Sequence, residues 1–295
     1  MRAARTSGPA RRGMASVGPL PPMLRDRPFA IMGVVNVTPD SFFDGGRYDT
    51  AALAVRHARS LVEEGADLLD IGGESTRPGA LPVSETEECR RVIPVIRKLA
   101  RSAGVPLSID TSKAAVARRA LDAGAALIND VSAGRNDPGM AALAARRRCP
   151  VVLMHSRQTP RDMQQAPRYG DVLREVRSEL LACVRRFLDA GVRSRDIILD
   201  PGIGFAKRLE DNLALLRRPD VLLKTGFPVL IGPSRKSFIG AITGKEPRER
   251  LAGTLAAVAA AYVNGARFFR VHDVKETRDL LMVLSRIQES SRPAR

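Results

Sequence analysis

Short apolar runs alternate with helical stretches along most of the chain. Each run is followed by a polar, Gly-rich segment and then by a stretch whose apolar residues recur at helical spacing. The eight runs cover residues 30–35, 68–71, 107–109, 126–128, 151–154, 197–199, 229–231 and 268–271. Because a strand, a loop and an amphipathic helix form the repeating unit of parallel α/β folds, the pattern predicts eight βα units.

Two helical stretches show which face they bury. Their apolar residues recur every three or four positions: Ala51, Ala54, Val55, Ala58, Leu61 and Val62 in the first, and Val172, Val176, Leu180, Cys183, Val184 and Phe187 in the second. This spacing places them on one side of a helix, which we expect to pack against a sheet. Glycines predict where four helices end: Gly65, Gly124, Gly191 and Gly265.

Eight βα units in about 265 residues match a single (β/α)₈ TIM barrel of the α/β class, in which each strand is buried and should therefore be a nearly continuous apolar run. A doubly wound open sheet is the rival fold. It would concentrate the site at one switch point. Nearly every apolar run here ends in reactive polar residues, which favours the barrel.

The two ends of the chain differ from the repeating part. Residues 1–27 are rich in Arg, Gly, Pro and Ser, with no acidic residue before Asp26, and predict a disordered basic tail. An organelle-targeting segment has a similar composition, but the prolines and glycines interrupt any amphipathic helix. We expect the barrel to span residues 28–289 and residues 290–295 to form a frayed C-terminus.

Composition narrows the class of protein. The chain has 295 residues, 44% of them hydrophobic, which is enough for one large core or two modest ones. Its longest charge-free stretch, near residues 251–266, is shorter than the roughly 18 to 20 apolar residues of a membrane helix, so we expect a soluble protein with no membrane partner. Three cysteines without a CxxC pair suggest neither disulfides nor zinc and fit a reducing cytoplasm.

The net charge of +16 is compatible with a nucleic acid, an anionic membrane or a small anionic substrate. Many of the arginines are spread over predicted helix faces and do not form one block. Aromatic residues make up only 4% of the chain, which leaves few rings for stacking on bases. We therefore interpret the charge as a solvated basic surface and expect no nucleic-acid partner.

Polar residues follow the apolar runs and, in a barrel, would converge on one face. Asp110, Asn129 and Asp200 stand directly at the ends of runs and should point into the barrel mouth. Buried carboxylates need a donor-rich partner, and a heterocycle with an amidine-like N–H edge would supply two parallel hydrogen bonds. Asp40, Ser112 and Asp130 fit helix capping equally well, and capping is the commoner role of such residues.

Cationic and hydroxyl residues follow the last two runs, where barrels often bind phosphate: Arg235, Lys236, Ser237, Arg270 and His272. We expect them in the region of the mouth opposite the acids, with a phosphate or diphosphate as ligand. His272 shares a strand face with Arg270, which favours a ligand role. His57 fits a structural histidine, and His155 fits either role. Neither GxxxxGK[ST] nor GxGxxG occurs, so P-loop and Rossmann nucleotide sites are not supported.

Seven motifs occur in the order that is typical of one enzyme family, between about residues 31 and 287: Asn36-Val37-Thr38-Pro39-Asp40-Ser41-Phe42, Gly73-Glu74-Ser75-Thr76-Arg77-Pro78-Gly79, Ile109-Asp110-Thr111, Asn129-Asp130-Val131-Ser132, Asp200-Pro201-Gly202-Ile203-Gly204-Phe205, Ser234-Arg235-Lys236-Ser237-Phe238 and Arg270-Val271-His272-Asp273. In these motifs the chain resembles the dihydropteroate synthase family.

The resemblance implies roles for individual residues. The dihydropterin would be held by Asp110, Asn129, Asp200 and Lys236, with Arg270 enclosing its ring, and Phe205 would also belong to the substrate-binding residues. The diphosphate would be held by Asn36, Arg270 and His272, with Mg²⁺ bound to it near Asn36. The p-aminobenzoate site would be formed by Thr76, Arg77, Pro78 and Ser237, and covered by the two loops that carry Asp44 and Arg77. Family resemblance therefore assigns the catalytic roles to Asn36, Asp44, Lys236, Arg270 and His272, and a homodimer is expected.

The implied reaction condenses (7,8-dihydropterin-6-yl)methyl diphosphate with p-aminobenzoate to give 7,8-dihydropteroate and diphosphate, through a pterin methylene cation. Two alternatives remain, a pterin-binding methyltransferase domain and a non-catalytic paralogue. Arg270 with His272 argues against the first. The chain departs from the family pattern at Ser156 and Gln158, after the fifth run, and at Phe43, where a small polar residue is frequent. The bulk of Phe43 predicts altered sulfonamide sensitivity.

Overall fold

The computed structural model describes residues 21, 24–38, 50–75, 79–158 and 168–290. Within these residues each of the eight predicted runs forms a strand: β1 (Ala30–Asn36), β2 (Leu68–Gly72), β3 (Leu107–Asp110), β4 (Leu127–Asp130), β5 (Val151–Met154), β6 (Ile197–Asp200), β7 (Leu230–Ile231) and β8 (Phe268–Val271). The predicted strands are therefore confirmed, and β7 is the shortest of them.

The strands form one parallel sheet in the order β6-β5-β4-β3-β2-β1-β8-β7. A single parallel bridge between Leu199 and Val229 joins the two end strands, so the sheet closes on itself. Closure with consecutive strands adjacent confirms the (β/α)₈ TIM barrel. The doubly wound alternative is excluded, because such a sheet stays open and reverses its strand order at the switch point.

Helices cover the outside of the barrel. In chain order they are α1 (Thr50–Glu63), α2 (Glu85–Ala100), α3 (Ala114–Asp122), α4 (Gly139–Arg147), α5 (Val172–Asp189), α6 (Leu209–Arg217), α7 (Asp220–Leu223), α8 (Ser237–Thr243), α9 (Leu251–Val263) and α10 (Val274–Ser290). The six apolar residues predicted to form one face in α5 are all buried. Among the described residues, none of these helices is long and apolar enough to span a bilayer.

The predicted helix ends are also confirmed. Gly65, Gly124, Gly191 and Gly265 all have φ between +95° and +113°, just after a helix. This left-handed conformation carries no side-chain penalty in glycine, and it turns the chain back towards the next strand.

The lower half of the barrel interior is apolar. The inward residues there form one cluster: Ala30, Met32, Leu68, Leu127, Val152, Ile198, Leu230, Phe268 and Leu24. Leu24 comes from the turn before β1 and is only 3% exposed. Arg27 donates to Asp67 at 2.6 Å, which ties the same segment to the start of β2. Leu24 and Arg27 thus contact the barrel, while the proposed domain limits as a whole stay a prediction.

The upper half of the interior is polar. Two positions further along their strands, Leu68 is followed by Asp70, Leu127 by Asn129 and Ile198 by Asp200. Alternate residues of a strand face the same side, so these polar side chains lie directly above the apolar cluster. Each of these strands therefore contributes one apolar side chain to the lower half of the interior and one polar side chain to the mouth of the barrel.

Candidate active site

A cavity that is open to solvent lies at the carboxyl ends of the strands. Six predicted substrate-binding residues line it: Asp110, Asn129, Asp200, Phe205, Lys236 and Arg270. Val131, Met154, Gly202, Ile203 and Gly232 complete the lining. The cavity therefore combines acids, cations and apolar surface, as is typical of pockets for a flat, polar heterocycle. The roles assigned to the six residues stay predictions.

Acids and cations alternate around this cavity. Arg270 donates from Nη2 to Asp110 Oδ2 at 2.8 Å and from Nε to Asp70 Oδ2 at 2.7 Å. The expectation that the cations occupy the opposite region of the mouth is therefore wrong for Arg270 and Lys236. The inward side chains of neighbouring strands lie in one narrow layer, so the long side chain of Arg270 reaches the carboxylates across it, and Lys236 lines the same cavity.

Burial shifts the protonation of the charged groups. It raises the pKa of Asp110 to about 7, an effect that Arg270 opposes and Asp70 increases. It also raises the pKa of Asp200 to about 6, although the N–H of Gly202 favours the ionised form. Burial lowers the pKa of Lys236 to about 8, and the nearby charge of Arg270 lowers it further. The site thus holds carboxylates that readily accept protons or donor groups near neutral pH.

The segment between β6 and α6 shapes one wall of the cavity. Asp200 Oδ1 accepts from Gly202 N at 2.7 Å. Gly202 has φ +68°, and a Cβ added there would lie 2.0 Å from the carbonyl oxygen of His155, so this position requires glycine. Further along, the ring of Phe205 lies 4.1 Å from Lys236 Nζ, a cation–π distance.

Lys207 supports this segment from behind. Its ammonium donates to Phe205 O at 3.0 Å and contacts His155 Nδ1 at 3.1 Å. His155 Nε2 lies 2.9 Å from Glu179 Oε2, so the proton of the neutral ring belongs on Nε2. Burial lowers the pKa of Lys207 to about 7 and that of His155 to about 4. His155 is therefore a structural residue, and Lys207 was missed because nothing in the sequence separates it from a surface lysine.

Asp70 was missed for another reason. It lies inside the second apolar run and not at its end, where the other polar site residues stand. Its side chain is fully buried and contacts Arg270 and Asn129. A charged residue two positions before Gly72, on the inward face of a strand, was the signal that could have identified it.

Three further predicted residues lie on the rim, outside the lining of the cavity. Asn36 ends β1 and pairs in register with Gly72, Ser237 is the exposed first residue of α8, and His272 follows β8. His272 Nδ1 lies 3.0 Å from Ser234 Oγ, which also accepts from the His272 backbone N–H at 3.2 Å. A hydroxyl that accepts there can donate to Nδ1, which places the ring proton on Nε2.

Other sequence predictions have different outcomes. Asp130 is fully buried and accepts from Ser132 N and Gly134 N, so it holds its own loop, as the capping interpretation suggests. Arg235 donates to Asp273 and belongs to the scaffold of the rim. The remaining predicted site residues lie outside the described residues: Asp44, Thr76, Arg77 and Pro78. Phe43 lies there too.

Comparison with known proteins agrees with this geometry. A family model described as "Pterin binding enzyme" matches residues 32–272. The chain is 48% identical over 246 residues to the dihydropteroate synthase of Bacillus subtilis, covering 83% of this chain and 84% of that protein.

Two solved structures of the Xanthomonas albilineans dihydropteroate synthase are also similar. The one with 4-aminobenzoic acid is 50% identical, with a TM-score of 0.85 over 91% of this chain and 95% of that one. The one in complex with 7,8-dihydropteroate is 47% identical, with a TM-score of 0.82 and the same coverage. Together with the barrel and its cavity, these similarities show that the chain belongs to the dihydropteroate synthase family of pterin-binding transferases.

Proposed function

We propose that the cavity binds the ring of (7,8-dihydropterin-6-yl)methyl diphosphate and that the protein joins its methylene carbon to p-aminobenzoate, forming 7,8-dihydropteroate. The family supports this reaction, and a relative has been solved with 4-aminobenzoic acid and with 7,8-dihydropteroate. The single observation that carries the proposal is the gathering of Asp110, Asn129, Asp200, Lys236 and Arg270 around one cavity.

The ring is recognised by acceptors at the carboxyl ends of three strands. The carboxylates of Asp110 and Asp200 can each accept from N–H groups on the edge of the ring, and such charge-assisted bonds are strong where water is excluded. Asn129 supplies a further acceptor. Met154 and Phe205 offer apolar surface to the faces of the ring, and Lys236 donates to its oxygen or nitrogen atoms. This set favours a flat heterocycle that is rich in donors along one edge.

The diphosphate is held on the rim next to the ring. Arg270 faces the cavity, and His272 and Asn36 stand at the ends of two strands that neighbour each other in the sheet. Asn36 brings one amide oxygen to this rim, which fits Mg²⁺ held mainly by phosphate oxygens, because protein sites commonly give Mg²⁺ only one or two ligands. Asn36 would be that ligand, and Mg²⁺ would neutralise developing charge on the diphosphate.

The chemistry requires no covalent nucleophile on the protein. The C–O bond to the diphosphate breaks and leaves a resonance-stabilised pterin methylene cation; the arylamine nitrogen then forms the new C–N bond and loses a proton. Arg270 and His272 stabilise the departing charge, and a contact of this kind typically contributes about 3 to 4 kcal/mol. Thr76, Arg77, Pro78 and Ser237 bind p-aminobenzoate, and the loop with Asp44 keeps water from the cation.

Release of diphosphate from both substrates and Mg²⁺ tests the proposal. We expect release only when p-aminobenzoate is present, and a drop of at least about 100-fold in kcat/KM for Asp200→Asn, because an amide donor then faces the donors of the ring. Glu210→Gln, on the solvent side of α6, is the control and should behave as the unchanged protein. Pterin binding without diphosphate release would instead indicate a methyltransferase-like or non-catalytic protein.

Sulfonamide discrimination is the finer part of the proposal. We expect the bulk of Phe43 to reduce the affinity of a sulfonamide more than that of p-aminobenzoate. Inhibition constants for a sulfonamide measured on the unchanged protein and on Phe43→Ser test this expectation: the variant should be inhibited several-fold more strongly. Equal inhibition of both proteins would exclude Phe43 as a determinant of sensitivity.

We also propose a homodimer. Apolar side chains on neighbouring helices are more than half exposed, at Ile242 on α8, Val263 on α9 and Met282, Val283 and Ile287 on α10. A second copy of the chain would cover such a surface. Sedimentation analysis should give twice the mass of the chain, and Val263→Asp should reduce it towards the monomer.

A further inference from the structure

Asp70 occupies an unusual position below the cavity. It lies in the middle of β2, is 0% exposed and does not line the cavity itself. One of its oxygens, Oδ2, accepts from Arg270 Nε at 2.7 Å and from Asn129 Nδ2 at 2.9 Å. The other, Oδ1, is buried with no hydrogen-bond partner among the described residues. Burying a carboxylate costs free energy of folding, and a role in orienting these two neighbours would account for its presence.

The contact with Asn129 fixes the direction of an amide. An ionised carboxylate only accepts, so the atom of Asn129 that faces Asp70 is the Nδ2 donor. The amide oxygen, Oδ1, is therefore directed away from Asp70. It is buried and has no hydrogen-bond partner in the described part of the chain, and Asn129 lines the cavity. Without Asp70 the amide could rotate and present a donor to a ring whose edge already carries donors.

The contact with Arg270 fixes a cation. Nε is held by Asp70 and Nη2 by Asp110, so the plane of the guanidinium is set by two strands. Burial alone would lower the pKa of Arg270, but the charges of Asp70 and Asp110 outweigh this effect and raise it. Arg270 thus stays charged and stationary inside the barrel before any substrate arrives, which lowers the cost of ordering it during binding.

We propose that Asp70 is a positioning residue for recognition of the pterin ring. From the layer beneath the substrate it keeps the oxygen of Asn129 facing the cavity and holds Arg270 in place, without touching the substrate. This inference rests on the proposed function, since it assumes that the cavity receives a pterin. It assigns ring specificity to a carboxylate that the ring does not contact.

The test compares a variant that keeps the acceptor with one that removes it. In Asp70→Asn, the new amide oxygen can take the place of Oδ2 and accept from both Arg270 Nε and Asn129 Nδ2, so both side chains should stay oriented. In Asp70→Leu, neither donor has an acceptor there, so the amide of Asn129 can rotate and turn a donor towards the ring. The two variants therefore differ in whether an acceptor faces Arg270 and Asn129. Asp67→Asn is the matched control, because Asp67 is a buried aspartate just before the same strand, at the opposite end of the barrel.

Two measurements separate positioning from a general loss of structure. Calorimetric affinity for 6-hydroxymethylpterin, which lacks the diphosphate, should fall about 10- to 100-fold in Asp70→Leu and stay within about threefold of the unchanged protein in Asp70→Asn. The KM for p-aminobenzoate should change less than about threefold in both, and Asp67→Asn should bind the pterin as the unchanged protein does. Circular dichroism confirms folding of each variant. If Asp70→Leu does not fold, Asp70→Ala replaces it, because it removes the same acceptor without adding bulk, and its pterin affinity should fall likewise.

The outcomes that overturn the inference are distinct from failure of the proposed function. Unchanged pterin affinity in Asp70→Leu, or equal losses in Asp70→Leu and Asp70→Asn, would show that Asp70 has no part in orienting Asn129. Either result leaves diphosphate release by the unchanged protein intact. Absence of that release, by contrast, would contradict the proposed function itself, whatever the variants bind.

Discussion

At the scale of single residues, the site combines groups whose protonation changes near neutral pH. The pKa of Asp200 is about 6 and that of Asp110 about 7, against an ordinary value of 3.8. Raised carboxyl pKa values oppose folding of the empty protein as pH rises, because the ionised forms are buried without enough partners. Their stabilising contribution is full below about pH 4 and is lost as the pH rises through about 6 to 7.

Pterin binding should show the opposite dependence on pH. The ring donates to ionised carboxylates, so a protonated Asp200 must lose its proton before it can accept. We expect affinity for 6-hydroxymethylpterin to begin to fall below about pH 7, where Asp110 takes up a proton, and to fall more steeply below about pH 6, where Asp200 does so as well. Titration calorimetry between pH 5 and 8 measures this. In Asp200→Asn the dependence should be weaker; an equally steep profile in that variant would assign the titration to another group.

Residues differ in how well the sequence predicts them. Asp110, Asn129 and Asp200 were identified because each stands at the end of an apolar run, where strand geometry alone directs it to the mouth. Asp70 and Lys207 were not, because their roles depend on contacts between strands and loops far apart in the chain. Periodicity in the sequence predicts which face of a strand or helix a side chain lies on, but it does not predict which residue it will contact there.

At the scale of elements, the strands and the helix faces of α1 and α5 were predicted almost to the residue, since burial on a regular element imposes a repeating pattern. Loops have no such repeating pattern, so the sequence predicts their paths less well. The path of the segment between β6 and α6 depends on Lys207, whose ammonium reaches Phe205 O, His155 O and His155 Nδ1. These contacts join the ends of two neighbouring strands.

Removing that ammonium should loosen the wall of the cavity. In Lys207→Met the side chain keeps its length but leaves buried acceptors unsatisfied, each at a cost of about 1 to 3 kcal/mol. We expect the free energy of unfolding in urea to fall by about 2 to 4 kcal/mol and pterin affinity to fall with it, because Phe205 and Asp200 lie on this segment. Lys245→Met, at an exposed position, is the control. Equal stability of the two variants would contradict the role given to Lys207.

At the scale of the whole molecule, the barrel interior is divided into an apolar lower half and a polar upper half. The fold class was predictable because eight similar units leave few alternatives. The contribution of Leu24 was not, because it precedes the first strand in a segment whose composition resembles a tail. Its side chain closes the lower end of the barrel.

Leu24→Ala should therefore affect stability and spare the chemistry. Removing a buried leucine side chain typically costs about 2 to 5 kcal/mol, and thermal unfolding should report a correspondingly lower Tm. Diphosphate release at 25 °C should change little, since the active site lies at the opposite end. Leu81→Ala, where the leucine is 74% exposed, should leave the Tm within about a degree of the unchanged protein. A Tm equal to that of the control would place Leu24 outside the core.

The closure of the barrel has a consequence for motion. β6 and β7 meet through one bridge, whereas β1 and β2 pair over five residues, so the wall has a weak seam between Leu199 and Val229. Asp200 stands on one side of this seam, and Lys236 follows the strand on the other. A pterin bound by both residues would therefore bridge the two strands at this point. Amide exchange should therefore be fastest along this line in the empty protein, and slowed there more than elsewhere by the ligand; uniform slowing would mean that the seam does not open.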